Sequence, residues 1–139
     1  MSAVSSVHEE LHPANWAKPI GYANGIAATG RLVFIGGQIG WTGDQRFEAK
    51  DLAGQIRQTL ANILAVLSEA GGRPEHITRL TWYIVDKKEY LASLREIGAA
   101  YREMMGKHFP AMAMVQVVAL IEDDARVEIE ATAVIPEQN

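Results

Sequence analysis

Residues 51–85 read DLAGQIRQTLANILAVLSEAGGRPEHITRLTWYIV, and this stretch decides the fold. Within it, residues 51–70 carry apolar side chains at spacings of three and four, which predicts an amphipathic helix with one buried stripe. An aspartate at its start is suited to cap the helix, and Gly71-Gly72 followed by Pro74 is suited to end it. Residues 77–85 are rich in β-branched and aromatic residues and predict a strand. We therefore expect a helix that packs on a sheet.

The composition is that of one ordinary globular domain. Of the 139 residues, 48% are hydrophobic and 22% are charged. The net charge of −4 argues against a nucleic-acid partner. The absence of cysteine excludes disulfides, thiol nucleophiles and cysteine-based metal sites. We find no apolar run of membrane-spanning length and no secretory signal. We expect a single domain over residues 1–139, with residues 1–18 as an extended N-terminal segment, in the cytoplasm and without a membrane partner.

The remaining elements complete an α+β pattern. Short apolar runs at 23–29 and 32–36, separated by Gly30-Arg31, predict a tight hairpin. A second amphipathic helix is expected from residue 86 to the glycine at position 106. Two final strands are expected at about 112–120 and 126–135. The resulting order is hairpin, helix, strand, helix and two strands, with both helices on one face of the sheet.

The opposite face of this sheet is expected to be too apolar for water. Met112 and Met114 alternate with Val115 and Val117, so both faces of one predicted strand carry apolar side chains. Two helices can cover only one face. We therefore expect a second copy of the chain to cover the other, that is, a homo-oligomer.

Several kinds of chemistry have no support in the sequence. The four histidines are His8, His12, His76 and His108. No two of them have the spacing of metal ligands on a predicted helix, so we expect no metal site. The glycine-rich run 36–43 lacks the pattern of a phosphate-binding loop. No serine occupies a nucleophile elbow. Water chemistry directed by carboxylates, amides and backbone groups remains.

Two sets of residues are ambiguous on spacing alone. Glu128 and Glu130 are two apart on a predicted strand and project to the same face, which fits either a catalytic pair or a solvated strand edge. Tyr22 and Trp41 adjoin glycine-rich segments, where they could form the wall of a binding site, although packing in a core or interface is the commoner role of such rings.

Several motifs together resemble the Rid (YjgF) family. They are Gly21-Tyr22-Ala23-Asn24-Gly25, Leu32-Val33-Phe34-Ile35-Gly36-Gly37-Gln38-Ile39, Gln58-Thr59-Leu60 with Asn62-Ile63, Phe109-Pro110-Ala111 and Val127-Glu128-Ile129-Glu130-Ala131. The resemblance runs in order over residues 19–136. It implies a chorismate-mutase-like fold with a mixed β-sheet, assembled as a homotrimer with clefts between subunits. It also implies hydrolysis of enamines and imines to carbonyl compounds and ammonia without a cofactor.

The resemblance also implies the site residues. Glu128, Tyr22 and Gln38 are the expected catalytic residues. The expected substrate-binding residues are Gly36, Gly37, Trp41, Gly98, Met112, Ala113 and Met114. In the family, an arginine after the Phe-Pro-Ala motif holds the substrate carboxylate, but this chain has Met112 there. Gly36, Gly98 and Met114 also stand where the family often has serine, asparagine and cysteine. The chain thus resembles a divergent member of this family.

Two functions are compatible with these differences from the family pattern. The first is a Rid-type hydrolase with altered substrate choice, acting on an imine or enamine that lacks a small anchored carboxylate or is held by another basic residue such as Arg31 or Arg79. The second is a non-catalytic member that binds a small molecule or a partner protein. Ribonuclease activity, a third function associated with the family, has little support in an acidic chain without a histidine pair.

Overall fold

The computed structural model describes residues 7–137. A four-stranded mixed sheet lies at its centre. In spatial order, its strands are β3 (Arg31–Ile39), β6 (Val127–Ile135), β4 (Ile77–Ile84) and β5 (Ala111–Gln116). β6 runs antiparallel to both β3 and β4, whereas β5 runs parallel to β4. The α+β class and the mixed sheet are therefore as expected.

The long helix and the central strand are confirmed. Helix α1 spans Leu52–Glu69, and the Asp51 side chain accepts a hydrogen bond from the backbone N–H of Gly54. Alternate residues of β4 are buried, with Leu80, Trp82 and Ile84 on the helix side. The core fills the space between this face of the sheet and the helices.

The second predicted helix is interrupted. It forms as α2 (Lys87–Ala92) and α3 (Leu94–Met105), with a break at Ser93. The backbone N–H of Ser93 donates to the carbonyl of Tyr90, three residues back rather than four, so the last turn of α2 is tightened there. Gly106 ends α3 with a positive φ of 65°, which favours glycine.

The predicted hairpin around Gly30 is wrong. Strand β2 (Gly25–Ala27) pairs antiparallel with β1 (Glu9–Leu11) in a separate two-stranded sheet, and β3 pairs with β6 instead. Gly30 has a φ of 151°, and a Cβ there would lie 2.2 Å from the carbonyl oxygen of Ile135. The chain at Gly30 therefore lies close against the end of β6, where Arg31 pairs with Ile135, and β3 pairs with β6 rather than with β2.

Two further boundaries differ from expectation. β5 ends at Gln116 rather than Leu120, because its partner β4 ends at Ile84, which is paired with Gln116. Residues 117–126 form an irregular loop. Of the predicted N-terminal segment, residues 1–6 lie outside the described residues, and β1 is the strand within 7–18. No helix within 7–137 is both long enough and apolar enough to cross a membrane.

The face of the sheet away from the helices has apolar edges and a polar centre. Leu32 and Phe34 project from β3 with 58% and 75% exposure, and Val115 projects from the opposite edge. Between these edges lie polar side chains of β4 and β6: Arg79, Thr81, Tyr83, Glu128, Glu130 and Thr132. We call this whole side of the sheet, away from the helices, the open face. The sequence predicted that it carries apolar side chains but did not predict its polar centre.

Candidate active site

A pocket of about 180 Å³ lies between α3 and the edge strand β5. Most of its lining is apolar, with four aromatic side chains. The lining residues are Gly21, Trp82, Tyr90, Leu94, Ile97, Gly98, Tyr101, Arg102, Phe109, Met112 and Met114. Three predicted substrate-binding residues, Gly98, Met112 and Met114, therefore line one concavity.

The parallel pairing of β4 with β5 positions the two methionines. Met112 pairs with Leu80 and Met114 with Trp82, so both methionines project to the helix side of the sheet and pack against the core. Ala113 lies between them and projects to the open face, since successive residues of a strand alternate. The predicted residue Ala113 therefore does not reach the pocket of its own chain.

Contacts along residues 108–111 hold the pocket rim in place. The backbone N–H of Ala23 donates to the carbonyl of Pro110 at 3.0 Å, which brings Gly21 and Tyr22 beside β5. The Tyr101 hydroxyl donates to the carbonyl of His108 at 2.6 Å. The Tyr101 ring stacks on Phe109 with centroids 5.3 Å apart. Tyr22 itself is 43% exposed beside this rim.

The charge in the pocket comes from Arg102. None of the described residues that line it is acidic. No carboxylate within 7–137 forms an ion pair with the Arg102 guanidinium. Burial raises the pKa of Tyr101 well above its usual value, and burial also raises that of Tyr90, so both phenols stay neutral at physiological pH. Among the described residues, the pocket lining is therefore apolar apart from one arginine that forms no ion pair.

The predicted catalytic carboxylate lies on the opposite side of the sheet. Glu128 pairs with Tyr83 and projects to the open face. A Cβ at Gly37 would lie 2.0 Å from Glu128 Oε2, so the carboxylate covers Gly37 and the lack of a side chain there makes room for it. Glu130 accepts a hydrogen bond from the Tyr83 hydroxyl, which raises the pKa of Tyr83.

Polar residues of α1 hold the end of β3. Asn62 Nδ2 donates to the carbonyls of Ile39 and Trp41, at 3.0 and 2.7 Å, and Gln58 donates to Asn62 Oδ1 at 2.8 Å. The side chain of Gln38 donates to the carbonyl of Gly36 at 3.2 Å. The predicted glycine-rich segment is thus fixed by the amide residues that the sequence motif contains.

The predicted site residues therefore form two groups. Gly98, Met112 and Met114 line the pocket on the helix side, whereas Gly37 and Glu128 meet on the open face. Trp41 lies outside both groups and packs against Phe47, with ring centroids 5.8 Å apart. Because the sheet separates the two groups, one chain cannot present both to a single small molecule.

Three histidines lie close together, and none of them lines the pocket. His8 Nε2 lies 3.1 Å from the carbonyl of His76, and His108 Nε2 donates to the carbonyl of Ile77 at 2.7 Å. Burial is the main cause that lowers the pKa of both His76 and His108, so the two rings are neutral at pH 7. No cluster of metal-binding side chains occurs in the part of the chain that the structure describes.

Sequence reasoning missed the most distinctive residue of the pocket. The basic residues expected to hold a substrate are Arg31 and Arg79. In the structure, the Arg31 side chain donates a hydrogen bond to the carbonyl of Ala70, and Arg79 lies on the open face. Arg102 is the cation that reaches the pocket. The sequence feature that could have identified Arg102 is its spacing of four from Gly98, because residues four apart lie on the same face of a helix.

Comparisons with known proteins find relatives that match most of this chain. A family model described as Endoribonuclease L-PSP matches residues 12–135. A RutC family protein from Pyrococcus horikoshii is 36% identical over 129 residues, which cover 90% of this chain and 96% of the relative. A protein from Salmonella typhimurium named 2-iminobutanoate/2-iminopropanoate deaminase is 31% identical over 116 residues, which cover 81% of this chain and 86% of the relative.

The fold is also found among solved structures. The crystal structure of YyfB, a protein of the conserved Rid family from Yersinia pestis, has a TM-score of 0.81 to this chain at 29% sequence identity. The match covers 93% of this chain and 99% of that one. The shared fold extends over nearly the whole of both molecules.

Proposed function

The chain belongs to the Rid family, whose model is described as Endoribonuclease L-PSP, and from this membership we propose that it hydrolyses imines or enamines of small metabolites. Relatives about 30% identical are named 2-iminobutanoate/2-iminopropanoate deaminases, which makes attack of water on a C=N bond the chemistry to expect. We propose the cytoplasm as its location, where a cysteine-free chain needs no oxidising compartment.

The proposal that the active site is built from two chains rests on one observation. Glu128 and the pocket residues lie on opposite faces of one sheet. A symmetric assembly places the open face of one copy beside the pocket of the next. The exposed Leu32, Phe34 and Val115 supply apolar contact area for such an interface. A homotrimer with three clefts, each built from two copies, is the assembly that we propose.

The proposed reaction needs only water and a proton acceptor. Glu128 takes a proton from water as the water oxygen bonds to the imine carbon, and it returns this proton to the imine nitrogen, which gives a carbinolamine. Glu128 then carries the hydroxyl proton of the carbinolamine to the amino nitrogen, so that the C–N bond breaks, a C=O bond forms and ammonia leaves. Tyr22, Gln38 and the backbone near Gly37 are the proposed donors that position water and stabilise the developing charge.

A non-catalytic binding protein is the second candidate, because Met112 stands where the family's carboxylate-binding arginine is expected. A methionine supplies a flexible apolar wall and no fixed charge. The same cleft would then hold a small molecule without converting it. The two candidates differ in whether ammonia is released.

Release of ammonia from imines tests the proposal. An amino-acid oxidase generates 2-imino acids in place, and the rate of keto-acid and ammonia formation is compared with and without the protein, across alanine-, leucine- and phenylalanine-derived imines. We expect acceleration with at least one of them. If every imine decays at the uncatalysed rate while the folded protein still binds the corresponding keto acid, the binding-protein function is the correct one.

A further inference from the structure

The pocket between α3 and β5 has the chemistry of a site for an apolar anion. Its walls include Tyr101, Phe109, Met112 and Met114, and none of the described lining residues is acidic. The guanidinium of Arg102, which forms no ion pair with any carboxylate in residues 7–137, supplies a positive charge. A ligand that fits both features has an apolar body and a single carboxylate, because guanidinium binds carboxylate with two parallel hydrogen bonds.

The position of Arg102 orients such a ligand. Arg102 is exposed, so its charged end lies at the mouth of the pocket, whereas Trp82 and Tyr101 are buried in the wall. A Cβ at Gly98 would lie 3.4 Å from an Arg102 terminal nitrogen, so the guanidinium folds back over the glycine. The carboxylate would therefore stay at the mouth while the apolar body enters the pocket.

The size of the pocket indicates the size of that body. Its volume is about 180 Å³. An apolar cavity of about 150 Å³ holds one benzene molecule in another protein. The pocket therefore accepts one aromatic ring or a branched aliphatic group, and a methyl or ethyl group would leave most of it unfilled.

We propose that Arg102 anchors the carboxylate of a 2-imino acid whose bulky apolar side chain, aromatic or branched, occupies the pocket. The assignment of an imine rests on the proposed function, whereas the assignment of the pocket does not. In a 2-imino acid the C=N carbon is bonded directly to the carboxylate carbon. An anchored carboxylate thus keeps the reacting carbon at the mouth, where a second copy of the chain could present Glu128.

Binding of an unreactive probe, 3-phenylpropanoate, tests this assignment by calorimetry. We expect the wild-type protein to bind it at least about tenfold more tightly than propanoate, which lacks the ring. Arg102→Gln should weaken binding of 3-phenylpropanoate by about tenfold or more, and Arg102→Lys should restore part of it. The neutral 3-phenylpropanamide should bind weakly and equally to the wild-type protein and to Arg102→Gln.

Arg95→Gln is the matched control, because Arg95 is an exposed arginine of the same helix that does not line the pocket. It should bind 3-phenylpropanoate as the wild-type protein does. Equal dissociation constants for Arg102→Gln and Arg95→Gln would overturn the assignment, as would no binding to the wild-type protein. If Arg102 governs binding but no imine is hydrolysed, the proposed function fails and the pocket assignment stands.

Discussion

Glu128→Gln is expected to lower the rate of imine hydrolysis by about a hundredfold or more, because the amide cannot accept a proton from water. The substitution keeps the size of the side chain and its place over Gly37. The measurement is kcat for ammonia release from a leucine- or phenylalanine-derived imine. The dissociation constant of 3-phenylpropanoate should not rise, since Glu128 does not line the pocket of its own chain and a carboxylate at the pocket mouth repels this anionic probe.

Glu130→Gln is the control for this prediction. Glu130 projects from the same strand to the same face, two residues from Glu128, and accepts a hydrogen bond from Tyr83. We expect its loss to change kcat by less than about threefold, because the removed hydrogen bond is exposed and structural. Equal losses of activity in the two variants would mean that Glu128 has no special role in directing water.

Met112→Arg is expected to reverse the preference for large over small substrates. The new guanidinium would stand at the family's carboxylate-binding position and would occupy apolar volume beside Met114. Hydrolysis of alanine-derived imines should rise about tenfold, and that of phenylalanine-derived imines should fall about tenfold, each corresponding to about 1.4 kcal/mol in the transition state. The ratio of kcat/KM values for the two imines measures the reversal.

Met112→Leu is the matched variant, since leucine is apolar and similar in volume to methionine. It should leave the ratio of kcat/KM values within about threefold of the wild-type ratio. If Met112→Arg folds normally and the ratio does not move, Met112 does not determine substrate size, and its replacement of arginine has no bearing on specificity.

The elements that the sequence predicted well are those whose stability is local. The stripe of α1 and the alternation of β4 come from side-chain periodicity within one segment, and both elements lie within one residue of their predicted bounds. The hairpin at Gly30 failed because strand pairing depends on contacts between distant residues. A glycine is needed at position 30 because the backbone there lies close to Ile135 at the end of β6. The neighbouring residues in the sequence do not reveal this contact.

In the candidate site, too, local motifs could be predicted from the sequence, whereas features that depend on distant contacts could not. The motifs identified Glu128, Gly37, Gly98 and Met112 by their positions, but the sequence does not show which face of the sheet each occupies. Only the registers of β4 with β5 and β6 separate them into two groups. The role of Arg102 depends on the shape of a pocket and on the lack of an ion-pair partner, neither of which a spacing of four can establish.

Mixing two inactive variants tests directly whether one active site is built from two chains. Glu128→Gln lacks the carboxylate, and Gly98→Trp fills the pocket of its own chain. The two are unfolded and refolded together at equal amounts, and the rate of ammonia release is measured against each variant refolded alone. Random assembly places an intact Glu128 beside an intact pocket in about one quarter of the clefts, so about one quarter of the wild-type activity should return. A mixture no more active than the average of the two separate variants would contradict a site shared between subunits.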